Sequence, residues 1–133
     1  MVAKNIVILH GWGATREKLF PLRDKLEKRD WKVYLPKIPG LDIPLPSQVW
    51  GLKEYADFLS RACHQFFKGE KYFIFGYSFG GRVALKASRF SPSPISGIIL
   101  CSAAGLSRGS LLKRSFFWTL AKLGKLFLVS PPI

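Results

Sequence analysis

The sequence predicts an α/β fold, a parallel sheet of about four strands flanked by helices. Two observations carry that expectation. Short apolar runs rich in Ile, Val, Phe and Tyr alternate with longer amphipathic stretches, as in successive strand–helix units. Glycine-rich turns stand where two of those runs end, at Gly11 to Gly13 and at Gly76 to Gly81.

Taken in order, strands are expected near 5–9, 32–36, 71–76 and 96–101, and helices near 15–29, 51–67 and 80–90. Asn5-Ile6-Val7-Ile8-Leu9 is almost wholly apolar, the pattern of a strand buried on both faces of a parallel sheet. Thr15, followed by Glu17 and Lys18, opens the first helix, and Leu19, Leu22 and Leu26 give it an apolar stripe. Pro39, Pro44 and Pro46 hold the long loop after the second strand extended. In the second helix the periodicity puts Tyr55, Leu59, Ala62 and Phe66 on one face and leaves His64 off it, in solvent. Alternating elements of this kind require right-handed crossovers between parallel strands.

The chemistry sits in two of the turns. Gly76-Tyr77-Ser78-Phe79-Gly80-Gly81 follows the apolar run Tyr72-Phe73-Ile74-Phe75 and precedes the third helix. A Gly-x-Ser-x-Gly between a strand and a helix is the pattern of a nucleophile elbow, a sharp turn that presents a serine hydroxyl above the sheet. Such a turn needs positive φ at Ser78 and has no room for a Cβ at Gly76 or Gly80. It also leaves the amide of Phe79 free, backed by the positive end of the following helix, where an oxyanion would form. The second turn, His10-Gly11-Trp12-Gly13, ends the first strand.

Together with the Leu35-Pro36 to Pro39-Gly40 loop and Ile98-Ile99-Leu100-Cys101-Ser102-Ala103-Ala104-Gly105, these turns make the chain resemble the N-terminal part of an α/β-hydrolase. The likeness is to meta-cleavage-product hydrolases and proline-iminopeptidase-like serine hydrolases. It implies a partial α/β-hydrolase core over 1–106 and, over 107–133, a helix that starts a cap. It implies the strand order second, first, third, fourth. It makes Ser78 the nucleophile, with the amides of Trp12 and Phe79 as oxyanion donors and His10, Gly11 and Tyr77 at the substrate. His10 would also orient its loop. No cofactor and no metal are implied, and the partner is a small-molecule substrate: ester, thioester, amide or carbon–carbon bond. One residue departs from the pattern, Lys37 standing where relatives often carry Asp.

In this family the triad follows the order Ser, then Asp or Glu, then His. After Ser78 there is no Asp, Glu or His; the last acid is Glu70, and His10 and His64 both lie upstream. A serine without a base is a poor nucleophile at neutral pH, so the chain reads as a truncated hydrolase, inactive alone. A degenerate, non-catalytic hydrolase that binds a small apolar ligand, or a basic amphipathic membrane-associated protein, is the alternative. Cys63 and His64 form no dyad, because adjacent helical residues diverge. A strand left uncovered at 96–101 would favour self-association.

The 48% hydrophobic content supports a packed core, and 133 residues limit it to one domain. Two cysteines, Cys63 in a helix and Cys101 in a strand that reads as buried, have no metal-site spacing. With no secretory signal they read as reduced thiols in the cytoplasm. Net charge is +13, with 12 basic and 8 acidic residues over 1–70 but 9 basic and none acidic over 71–133. No nucleic-acid motif accompanies that excess and the cations are scattered, so no nucleic acid is expected as partner. Over 110–129, Leu112, Phe116, Leu120, Leu123 and Phe127 recur at helical spacing, with Lys113, Arg114, Lys122 and Lys125 elsewhere. Four cations argue against a membrane span there. The start of a cap, or a basic amphipathic helix lying weakly on a membrane, both fit.

Overall fold

In the computed structural model, residues 4–90 and 93–103 are described. The stretch 107–133, expected to begin a cap, lies outside them.

Four parallel strands form one sheet: β1 (Asn5–Leu9), β2 (Lys32–Tyr34), β3 (Tyr72–Tyr77) and β4 (Ile95–Cys101), in the order β2-β1-β3-β4. That is the order the resemblance implied. All five residues of β1 are buried, as its apolar run required. Period-two alternation divides its side chains between two layers. Ile6 and Ile8 face a cluster with Val33, against which Leu19, Leu22, Leu26 and Trp31 pack. Val7 and Leu9 face the larger core with Ile74, Tyr55, Leu59, Phe67 and Val83. So α1 (Phe20–Glu27) covers one face of the sheet, and α2 (Leu52–Phe67) and α3 (Phe79–Phe90) cover the other. At the start of β1 the buried Asn5 amide donates to Glu70 Oε2 and to the Lys71 carbonyl, both at 3.0 Å, tying β1 to the entry of β3.

Several expected boundaries move for stated reasons. The first helix is shorter than 15–29: Arg16–Leu19 is a 3₁₀ turn and the α-helix begins at Phe20. Pro21 in its first turn has no N–H to bond back to Glu17, so the α ladder cannot extend upstream. Strand β2 stops at Tyr34 rather than residue 36, where Pro36 removes a donor. On α2 the buried stripe is Tyr55, Ala56, Leu59, Cys63 and Phe67, rotated from the expected face. Tyr55 sits at the edge of that stripe and not at its centre, its hydroxyl donating to the Pro39 carbonyl at 3.0 Å. Phe66 instead stacks on Tyr34, with ring centroids 4.3 Å apart. His64 is exposed, as expected.

Cys101 is exposed, not buried. Among the described residues β4 is an edge strand, and Ile99 (49% exposed) and Leu100 (37%) share its exposure. Cys63 is wholly buried, and burial pushes its thiol up to about 12, against a hydrogen bond with Tyr72 that acts the other way. Among the described residues no helix is long and apolar enough to cross a membrane. Thiol titration at pH 8 should therefore find one reactive cysteine, Cys101, in the native protein and a second only in denaturant; two fast thiols in the native state would contradict the packing of α2.

Candidate active site

The end of β3 and the start of α3 meet at Ser78, whose φ is +51°. A non-glycine residue in the left-handed region costs about 1–2 kcal/mol, so the surrounding packing must hold it there. Two hydrogen bonds help to do so. The Ser78 N–H donates to the Cys101 carbonyl at 3.0 Å, anchoring the turn to β4, and the Gly81 N–H donates to the Ser78 carbonyl at 3.1 Å. Glycines supply the rest. A Cβ on Gly76 would lie 2.6 Å from Gly81 Cα, and one on Gly80 would lie 2.6 Å from the Leu9 carbonyl oxygen and 2.8 Å from that of His10. The sequence-based expectation that neither position has room for a side chain holds. Phe79 begins α3, so its N–H has no acceptor in a preceding helical turn and lies at the positive end of the helix.

The turn after β1 rests directly on this elbow. A Cβ on Gly11 would meet Ser78 Cβ at 2.7 Å, Ser78 Oγ at 3.1 Å and the Phe79 nitrogen at 3.2 Å. The Trp12 ring, 64% exposed, contacts the Phe79 ring edge-on with centroids 5.7 Å apart. The Gly11 carbonyl faces the other way, accepting from the Ala14 N–H at 3.3 Å with His10 Nδ1 at 3.1 Å. In a trans peptide the following N–H points opposite to the carbonyl, so the Trp12 N–H is directed away from His10. Tyr77, the other expected substrate neighbour, is partly exposed at the end of β3. With His10, Trp12 and Lys18 it lines a hollow of about 270 Å³ on the β1-turn side.

His10 is 2% exposed. Its Nε2–H donates to Asp42 Oδ2 at 2.8 Å, and the same oxygen accepts the Ile38 N–H at 2.7 Å. A neutral imidazole donates from one nitrogen only, so Nε2 takes the proton towards the carboxylate, and the imidazolium alone completes the contact to Gly11. Both ring nitrogens thus face groups of the protein. Asp42 is the residue the sequence reading missed. It is the only acid between Asp30 and Glu54, set in an apolar, proline-rich loop, and that isolation was the available signal. Lys37, at the departure from the family pattern, is exposed, while the loop is fastened five residues later by Asp42. Among the described residues no group of three His, Cys, Asp or Glu side chains could hold a metal.

A model of the alpha/beta hydrolase fold matches residues 4–128. The chain belongs to this family. A protein of Haemophilus influenzae named as a 2-succinyl-6-hydroxy-2,4-cyclohexadiene-1-carboxylate synthase is 29% identical over 109 residues, covering 72% of this chain and 39% of that protein. An alpha/beta hydrolase enzyme from a metagenome of lagoon sediments at Mar Chica, Morocco, superposes with a TM-score of 0.65 at 24% identity, over 92% of this chain and 53% of that one. The monoacylglycerol lipase of Paleococcus ferrophilus gives a TM-score of 0.62 at 25% identity, over 97% and 48%. The chain spans 39% of that curated relative and about half of each of these two structures.

Two substitutions test how this alpha/beta hydrolase site is held. Gly80→Ala should cost roughly 1–3 kcal/mol in denaturant unfolding, because its Cβ meets backbone oxygens that cannot step aside. Asp42→Ala leaves the His10 ring and the Ile38 N–H without their acceptor and should cost about 1–3 kcal/mol. A loss near zero at either position would contradict the packing described.

Proposed function

We propose that this chain carries the nucleophile and the oxyanion hole of a serine hydrolase that attacks a carbonyl carbon. Ser78 is the nucleophile, and the N–H groups of Phe79 and Trp12 receive the negative charge of the tetrahedral intermediate. The observation that carries the reading is Ser78 at φ +51° on a strand-to-helix turn, pressed against Gly11. Strain of that kind persists where geometry serves a site. Two backbone N–H groups held beside one hydroxyl suit acyl-transfer chemistry, since they strengthen as charge develops. Ester, thioester, amide and carbon–carbon bond substrates all fit one elbow.

General-base assistance is a separate matter. His10 has its nitrogens turned to Asp42 and Gly11, His64 lies on the exposed side of α2, and no Asp, Glu or His follows Ser78. In this reading residues 1–133 position the serine without activating it, and p-nitrophenyl ester turnover should stay about 10²–10⁴-fold below that of a base-assisted serine. A thiol at position 78 escapes that limit, because a thiolate beside a helix N-terminus needs no base. In a Cys101→Ser background, Ser78→Cys should release one equivalent of nitrophenol from p-nitrophenyl acetate in a fast burst, with the acyl group found at position 78 by mass spectrometry. Acylation there no faster than that of free cysteine would remove the nucleophile assignment. Efficient turnover by the unaltered chain, lost in Ser78→Ala, would show that a base is present after all.

A further inference from the structure

Beside the elbow, sharing Trp12 with the Lys18 hollow, lies a cleft of about 430 Å³. Trp12, Leu45, Val49, Trp50, Leu52 and Phe79 form its apolar walls. The cleft is within the size range of small-molecule sites. Tyr55 closes its floor. The rings of Trp12, Phe79, Tyr55 and Trp50 follow one another edge to face, with centroids 5.1–5.7 Å apart. The outer wall is the segment after Pro44 and Pro46, whose rings restrict the backbone of the loop.

Three features of this cleft point one way. Trp12, Leu45 and Val49 are 64%, 45% and 95% exposed, so three of the exposed large apolar side chains gather around one hollow. Apolar surface gathered in this way marks a binding site. No residue lining it is charged, in a chain of net charge +13; Ser47 and Gln48 are its polar rim. Finally, Trp12 and Phe79 belong both to this wall and to the backbone beside Ser78. The cleft wall and the chain on either side of the Gly11–Ser78 contact therefore share two residues.

From these features we infer that the cleft between the β1 turn and the 45–52 segment is the acyl pocket, and that it takes an uncharged apolar acyl group. This rests on Ser78 as the reacting residue but names what the earlier reading left open. At about 30 Å³ for a water-sized group, the volume admits an acyl group of on the order of ten heavy atoms. The smaller hollow, with Lys18 at its rim, is left for the other side of the scissile bond.

Methyl ketones cannot be cleaved and carry the acyl group's carbonyl, so a series from 2-pentanone to 2-undecanone reads the pocket without catalysis. Titrated against the full chain by tryptophan emission, affinity should rise by up to about fourfold per methylene. It should level off once the cleft is filled. A ketone of equal length ending in a carboxylate should bind at least about tenfold more weakly than its neutral counterpart, for want of a partner charge in the cleft. Val49 is almost fully exposed, so Val49→Asp should leave the melting temperature unchanged and weaken the longer neutral ketones by about tenfold. Affinity independent of chain length, equal binding of the carboxylate, or an unaffected Val49→Asp variant would each overturn the pocket. Binding of ketones with no acylation of the Ser78→Cys variant would overturn the nucleophile and keep the pocket. Acylation that is fast but blind to acyl length would do the reverse.

Discussion

Everything in the site depends on how closely the end of β1 approaches the β3–α3 turn. The Leu9 and His10 carbonyl oxygens stand where a Cβ on Gly80 would be, and Ser78 stands where a Cβ on Gly11 would be. The nearest atoms are backbone oxygens and Cβ atoms, whose positions the backbone sets, so no rotamer change can relieve an intruding atom there. β1 itself cannot retreat. All of its residues are buried, it lies between β2 and β3, and Asn5 is fastened to the strand entry at Lys71. A central strand locked on two faces therefore becomes the anvil against which Ser78 is held in a left-handed conformation. The stability stored in the core is what sustains the strain at the turn.

The same contact explains why a histidine is buried without a catalytic partner. His10 continues β1 and turns into the loop that carries Asp42, and their bond joins two segments 32 residues apart. Through Nδ1 the ring also meets the Gly11 carbonyl, and that carbonyl fixes the direction of the next N–H. Asp42 and the Gly11–Trp12 peptide thus meet the two nitrogens of one imidazole ring. Asp42 also receives the Ile38 N–H, and Tyr55 reaches the Pro39 carbonyl from α2, so the first half of the loop is held on two sides. The loop that holds the turn continues directly into the outer wall of the apolar cleft.

Which of these features could be read from residues alone follows from the range of the forces involved. The elbow was legible because its demands are local: glycines where backbones touch, a serine between them, an apolar run before and a helix after. Strand and helix existence was legible from periodicity, and the strand order from the resemblance. The α2 face differs from the expected Tyr55, Leu59, Ala62 and Phe66 because both stripes fit helical periodicity, and the one that packs is centred on Ala56, Leu59 and Cys63. Cys101 looked buried because its strand is apolar, but burial of an edge strand depends on what lies beside it, which residue pattern does not state. Asp42 was missed for a similar reason. Its partners His10 and Ile38 are brought together by a fold, and neither spacing nor composition pairs a loop carboxylate with a histidine 32 residues upstream.

Positioning and activation of a nucleophile are physically separable, and in the proposed reading this chain supplies the first. Positive φ at Ser78 and a helix that starts directly after it are set by backbone packing among the four described strands. Neither of them requires a titratable side chain. Proton removal does require one, and among the described residues His10 is engaged with Asp42 while His64 faces solvent. The charge distribution follows the same division. Every one of the 8 acids lies at or before Glu70, while the stretch from residue 71 onward, which contains the elbow, contributes 9 cations and no anion. In the proposed reading an oxyanion developing beside Ser78 meets no carboxylate from residues 71–133, and an acid and base supplied by other parts of a hydrolase would act on a serine already placed.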